Sequence, residues 1–199
     1  MTLDRLRPVA EQALDPFVVA AKRLGLSPDG VSVIAFGCAV AAGVVFALAP
    51  PTLYLLAAAL VFANGWLDIV DGALARATGA ASKGGDLLDH VLDRYADVAL
   101  LVGIAAGLNR YGLGLLAVTG VLLTSYMGTQ IQAVGLGREY GGLLGRADRL
   151  ALVSAMGAAT ALYPRTVGPF SFLGWALVVL GVAGHLTAVQ RFVSAWRNL

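Results

Sequence analysis

Charge and cysteine are what this sequence has least of. Only 13% of its 199 residues are charged and 58% are hydrophobic, whereas a soluble domain carries roughly 25% charged residues. Mean hydropathy is +0.79. A soluble chain of this length could not cover so much apolar surface, and a disordered chain would not carry it. The single cysteine, Cys38, has no partner, which excludes a disulfide-stapled scaffold. A net charge of +2 is too small to point to nucleic acid. What remains is an all-α integral membrane protein, read as one domain over residues 1–199. Its 25 glycines suit helices that approach closely.

The scarce charges divide the chain into apolar runs. Each run long enough to span a bilayer needs about 20 mostly apolar residues. Six transmembrane helices are expected, at 31–49, 52–76, 86–108, 112–135, 147–163 and 168–191, forming a bundle over 31–191. Residues 1–24 differ. Leu14, Phe17, Val18 and Leu24 recur at near-helical spacing with Lys22 and Arg23 between them, which predicts an amphipathic helix lying in the interface. A cleaved signal peptide is disfavoured because no apolar stretch and cleavage site follow the basic residues. In this topology 12 of the 14 basic residues fall on one side, leaving only Arg110 and Arg165 on the other. The positive-inside rule then places both termini in the cytoplasm of a multi-pass cell-membrane protein. All 12 acidic residues fall on that same side.

Asp68 and Asp71 are three apart, and Asp89 and Asp93 four apart, so each pair shares a helix face. Asp86 and Asp97 extend the second stripe by a turn at each end. A loop of about ten residues joins the two helices, which predicts antiparallel neighbours with converging carboxylates. Such convergence needs cations. Oxygen donors without cysteine select Mg²⁺, Mn²⁺ or Ca²⁺ over zinc. Two such ions can clamp a phosphoryl displacement, with Asp68, Asp71 and Asp89 as ligands and a further carboxylate as general base. A solvated helix end is the bland alternative, and the spacing argues against it.

That spacing is Asp68-x-x-Asp71-Gly72-x-x-Ala75-Arg76, eight residues, then Gly85-x-x-x-Asp89-x-x-x-Asp93. It resembles the signature of the CDP-alcohol phosphotransferase family of membrane enzymes, with every position filled. The resemblance implies two divalent cations, Mg²⁺ first and Mn²⁺ second, on Asp68, Asp71, Asp89 and Asp93. It makes Asp93 the proton acceptor. It places the CDP-lipid against Gly72, Ala75, Arg76 and Ser82, with the turn Asp29, Gly30, Val31 and Ser32 closing over the nucleotide. It also implies a homodimer. Gly72 would let the diphosphate approach the backbone, and Arg76 could bind a phosphate through two donors.

Arg146 and Arg149, three apart, and Arg191 form a candidate basic pocket for a phosphorylated acceptor. Ser125-Tyr126, Arg146-Ala147-Asp148-Arg149 and Gln190-Arg191 resemble the phosphatidylinositol-phosphate and archaetidylinositol-phosphate synthase branch. That branch carries basic residues where this chain has Gly128 and Gln130. The acceptor thus stays open between inositol 1-phosphate, glycerol 3-phosphate and an unphosphorylated alcohol, and the lipid between diacylglycerol and archaeol. Arg138, Glu139 and Tyr140 are read as a lid over that pocket. From another class, a divalent-cation transporter would need its ligands near the bilayer midplane, not at helix ends.

Overall fold

The computed structural model describes residues 7–137 and 142–199, with side chains from residue 14 onward, so the lid expected at Arg138–Tyr140 lies outside the described residues. The described residues form seven α-helices: α1 (Arg7–Arg23), α2 (Pro28–Leu48), α3 (Tyr54–Thr78), α4 (Lys83–Gly107), α5 (Tyr111–Ala133), α6 (Arg146–Leu162) and α7 (Phe172–Trp196). Four of them, α2, α3, α5 and α7, are long and apolar enough to cross a membrane. The helix α4 matches α3 in length, but its first fifteen residues carry Asp86, Asp89, Asp93, Arg94 and Asp97, and α6 has 17 residues. Large apolar side chains on the helix exteriors face outward, Phe62 and Leu115 among them.

Local signals set the helix starts. Ser27, Ser82 and Ser171 each cap a helix by accepting from the backbone N–H three residues on, at Gly30, Gly85 and Gly174. Pro28 occupies the first turn of α2. Residues 29–32 are therefore helical rather than a turn, because the cap and the proline start the helix before them. Gly79, with φ at +65°, ends α3 in the left-handed conformation that glycine adopts freely. A two-residue hairpin, β1 (Thr166–Val167) with β2 (Phe170–Ser171), delays α7 to Phe172, later than the expected residue 168.

The bundle departs from the expected neighbour order. The helix α2 packs closely on both α3 and α4, whereas α3 and α4 make little close backbone contact despite their short connection. The reason lies in α2 and α4. A Cβ on Gly103 would run into the backbone of Gly43, and one on Gly43 would meet the Ala99 carbonyl at 2.5 Å. Absent side chains let these two backbones touch. The helix α2 thus braces α4 at the distance from α3 that carboxylate side chains then span. The helices α5 and α7 form a second close pair, and α6 packs against α3. Phe46, Val61, Leu100, Ile104, Leu173 and Leu177 form the buried centre. On the outside, Leu14, Val18 and Ala21 of α1 pack with Val31, Val70 and Leu74. Phe17 of α1 and Leu24 just after it stay exposed.

Candidate active site

Three carboxylates converge across the gap between α3 and α4. One oxygen each from Asp68, Asp71 and Asp89 lies within 4.8 Å of the others. Asp71 is buried, and the Ser32 hydroxyl donates to its Oδ2 at 2.7 Å. An ionised carboxylate removed from water is costly without compensating positive charge. The donor set is all oxygen, so it fits a hard divalent cation. Asp93 is not part of this triad. Its Oδ1 meets Arg146 Nη2 at 2.6 Å, while Asp68 Oδ1 meets Arg146 Nη1 at 2.6 Å. One guanidinium thus bridges a carboxylate of α3 and a carboxylate of α4.

A cavity of about 530 Å³ opens on the other side of Asp93. Four arginines line it: Arg94, Arg146, Arg149 and Arg191. His90, Thr124, Ser125, Tyr126, Gly128 and Thr129 contribute further polar or small wall positions. Burial of two of these cations is stabilised by named partners. Arg191 Nη1 donates to the Thr124 carbonyl at 2.6 Å. Arg149 Nη2 lies 3.3 Å from Asp97 Oδ2. Arg94 spans between elements. Its Nη2 lies 3.5 Å from Asp97 and 3.6 Å from Asp93, and its Nη1 donates to the Ser125 hydroxyl. Asp93 and Arg146 line both this cavity and the smaller space among the carboxylates.

The remaining expected residues fall into two groups. At the open end, Gly72 lies beside Arg76, since a Cβ there would be 3.4 Å from Arg76 Nη1. The first turns of α2 and α4 also meet, because a Cβ on Gly85 would be 3.1 Å from Asp29 Oδ1 and 3.3 Å from Ser82 Oγ. Asp29, Ser82 and Arg76 are all exposed there, with Gly30 and Ala75 half-buried. Ser32 and Val31 turn inward instead. Ser32 holds Asp71, and the Val31 side chain is committed to the α1 cluster. This follows from residues 29–32 being helical, which sends successive side chains around the axis.

In the sequence Arg94 is one of many basic residues. Its position three before Asp97 was the available signal. Asp97, by spacing an extension of the acidic stripe, is buried between two arginines. Asp86, at the other end, is exposed and approaches His90 at 3.5 Å.

A profile of the CDP-alcohol phosphatidyltransferase family matches residues 26–187. The chain belongs to this family. It is an enzyme that transfers phosphate-containing groups, and a multi-pass membrane protein. Among its relatives, the archaetidylinositol phosphate synthase of Methanothermobacter thermautotrophicus is 33% identical, over 99% of this chain and 95% of that one. Two crystal structures of the phosphatidylinositol phosphate synthase of Mycobacterium tuberculosis share its fold. The complex with manganese and citrate matches with a TM-score of 0.78 at 26% identity, covering 92% of this chain and 88% of the other. The form with CDP-DAG bound matches with a TM-score of 0.77 at 27% identity, covering 93% and 94%. In this CDP-alcohol phosphatidyltransferase, Asp68, Asp71 and Asp89 are placed so that together they could hold a metal ion.

Proposed function

We propose that the chain transfers a phosphatidyl or archaetidyl group from a CDP-lipid to a hydroxyl of a phosphorylated polyol, with inositol 1-phosphate first and glycerol 3-phosphate second, releasing CMP. The observation that carries this reading is the position of Asp93. It lies on the wall shared by the carboxylate site and the four-arginine cavity. A base that serves a donor on one side and an acceptor on the other must occupy such a wall. The four arginines supply more positive charge than an uncharged alcohol requires, and guanidinium groups suit phosphate oxygens. The synthase names of the relatives agree with a phosphorylated acceptor.

Asp68, Asp71 and Asp89 would hold two divalent cations with Asp93, Mg²⁺ first and Mn²⁺ second. Bound there, the cations would neutralise the donor diphosphate and the charge that develops on departing CMP. Gly72, Ala75, Arg76, Ser82 and the first turn of α2, Asp29 to Ser32, would form the donor's nucleotide site. Arg146, Arg149 and Arg191, joined by Arg94, would hold the acceptor's phosphate and orient its hydroxyl. Asp93 takes the hydroxyl proton as the oxygen bonds to the lipid-side phosphorus. The bond from that phosphorus to the CMP oxygen breaks, and CMP leaves with the electron pair. Most of the acceleration comes from positioning and fixed charge.

The reading includes six spans, α2 to α7, in one domain over residues 1–199, with α1 in the interface. Termini and active site face the cytoplasm, supported by 12 of 14 basic residues at one end. It includes a homodimer, which native mass spectrometry in detergent tests. The function itself is tested by CMP release from CDP-diacylglycerol and CDP-archaeol, with Mg²⁺, across inositol 1-phosphate, glycerol 3-phosphate, free inositol and serine. Release with a phosphorylated acceptor is expected. Release with free inositol or serine alone would overturn the reading.

A further inference from the structure

Asn64 lies on α3 four residues before Asp68 and seven before Asp71, on the same helix face. It is 1% exposed, a burial depth at which an amide needs partners for both ends. One end has a partner: Nδ2 donates to the Ala35 carbonyl of α2 at 2.9 Å. The other end, Oδ1, has no hydrogen-bond partner among the described residues. With Nδ2 fixed on Ala35, the amide cannot rotate to hide that oxygen.

The oxygen is not stranded among apolar atoms. Asn64 lines the small space that Ser32, Asp68, Asp71, Asp89 and Asp93 also line. That space measures about 10 Å³, close to the volume that admits one water. Asn64 forms its deep wall, one helical turn inside Asp68. A side chain on a helix leans toward the N-terminus, which here points away from the carboxylates. Direct ligation by Oδ1 is thus disfavoured, and the shared space has room for a single water. Mg²⁺ keeps several waters in its coordination shell. A neutral acceptor also suits the deep end better than a fifth carboxylate, whose charge would add to the repulsion among the other four.

We infer that Asn64 is a positioning residue of the metal centre: its amide oxygen accepts a hydrogen bond from a water bound to the cation held by Asp68, Asp71 and Asp89. This rests on the metal site proposed above. Residues that act through a ligand in this way typically change metal affinity by 10–100-fold when removed. The alternative is purely mechanical, with Asn64 serving only to tie α3 to α2 through Ala35.

The test is Mn²⁺ binding to the purified full chain in detergent, without any substrate, followed by the electron paramagnetic resonance of free Mn²⁺. Wild type, Asn64→Ala and Asn64→Asp are compared, and thermal melting is recorded for each with and without Mn²⁺. Asn64→Ala removes both the oxygen and the tether. Asn64→Asp keeps an oxygen toward the cavity and loses the donor to Ala35. The inference expects Asn64→Ala to weaken Mn²⁺ binding by about tenfold or more, and Asn64→Asp to bind at least as tightly as wild type. A smaller loss in Asn64→Ala, or an equal loss in both variants, would overturn it. Should Asn64→Ala not fold, Asn64→Asp decides alone: binding as tight as wild type supports the inference and weaker binding overturns it. A wild type that binds no Mn²⁺ would overturn the metal site itself, a result distinct from a variant that matches a binding wild type.

Discussion

Asp93 and Arg146 each line two cavities, so substitutions there should separate chemistry from binding. Asp93→Asn keeps the shape and loses the base. CMP release should fall by roughly 10²–10⁴-fold, more than CDP-lipid binding does, with some loss of melting temperature because the pair with Arg146 is weakened. Turnover within a few-fold of wild type would remove Asp93 from its role. Arg149 tests the opposite wall. Breaking a buried ion pair by deleting one partner commonly costs about 3–5 kcal/mol. Arg149→Ala should cost less, about 2 kcal/mol, because Arg94 also approaches Asp97, at 3.5 Å. Detergent melting reads that loss, and the KM for the phosphorylated acceptor should rise in the same variant.

At the scale of elements, the site depends on a contact far from it. Gly43 and Gly103 let α2 and α4 touch, and α2 also packs on α3. Gly103→Val should push α4 outward and destabilise the bundle by roughly 1–3 kcal/mol. Mn²⁺ affinity should fall with it, because the α4 carboxylate moves relative to the α3 pair. Unchanged Mn²⁺ affinity in a destabilised Gly103→Val would show that the brace does not set the site. The carboxylates themselves were legible in the sequence, since spacings of three and four place them on common faces whatever the tertiary fold. The three arginines expected at the cavity also reach it. The neighbour order was not legible. A short loop argues for adjacent helices, and only the packing of α2 shows what holds α3 and α4 apart. Arg94, Asp97 and Asn64 were missed for a related reason. Beyond the local Arg94–Asp97 pair, their partners Ser125, Arg149 and Ala35 lie on other helices, 29 or more residues away. No local pattern encodes such pairs.

On the scale of the whole molecule, the six-span reading gathers almost all charge at one end of an apolar bundle. Membrane-impermeant maleimide gives a direct check on a chain whose own Cys38 is replaced by alanine. Cysteine at the exposed position Ala81, in the α3–α4 loop, should label only from the cytoplasmic side. Cysteine at exposed Tyr111 should label only from the opposite side. Labelling of both from one side would contradict the six-span arrangement. That arrangement puts a donor with lipid tails and a water-soluble acceptor at the same boundary, where one carboxylate can serve both. The most direct measurement is the mass of the lipid formed when the purified chain receives a CDP-lipid, Mg²⁺ and inositol 1-phosphate. The account predicts the phosphatidyl or archaetidyl ester of inositol phosphate together with free CMP, and neither in the presence of a chelator. A cytidylyl-modified acceptor, or the same turnover with free inositol in its place, would contradict it.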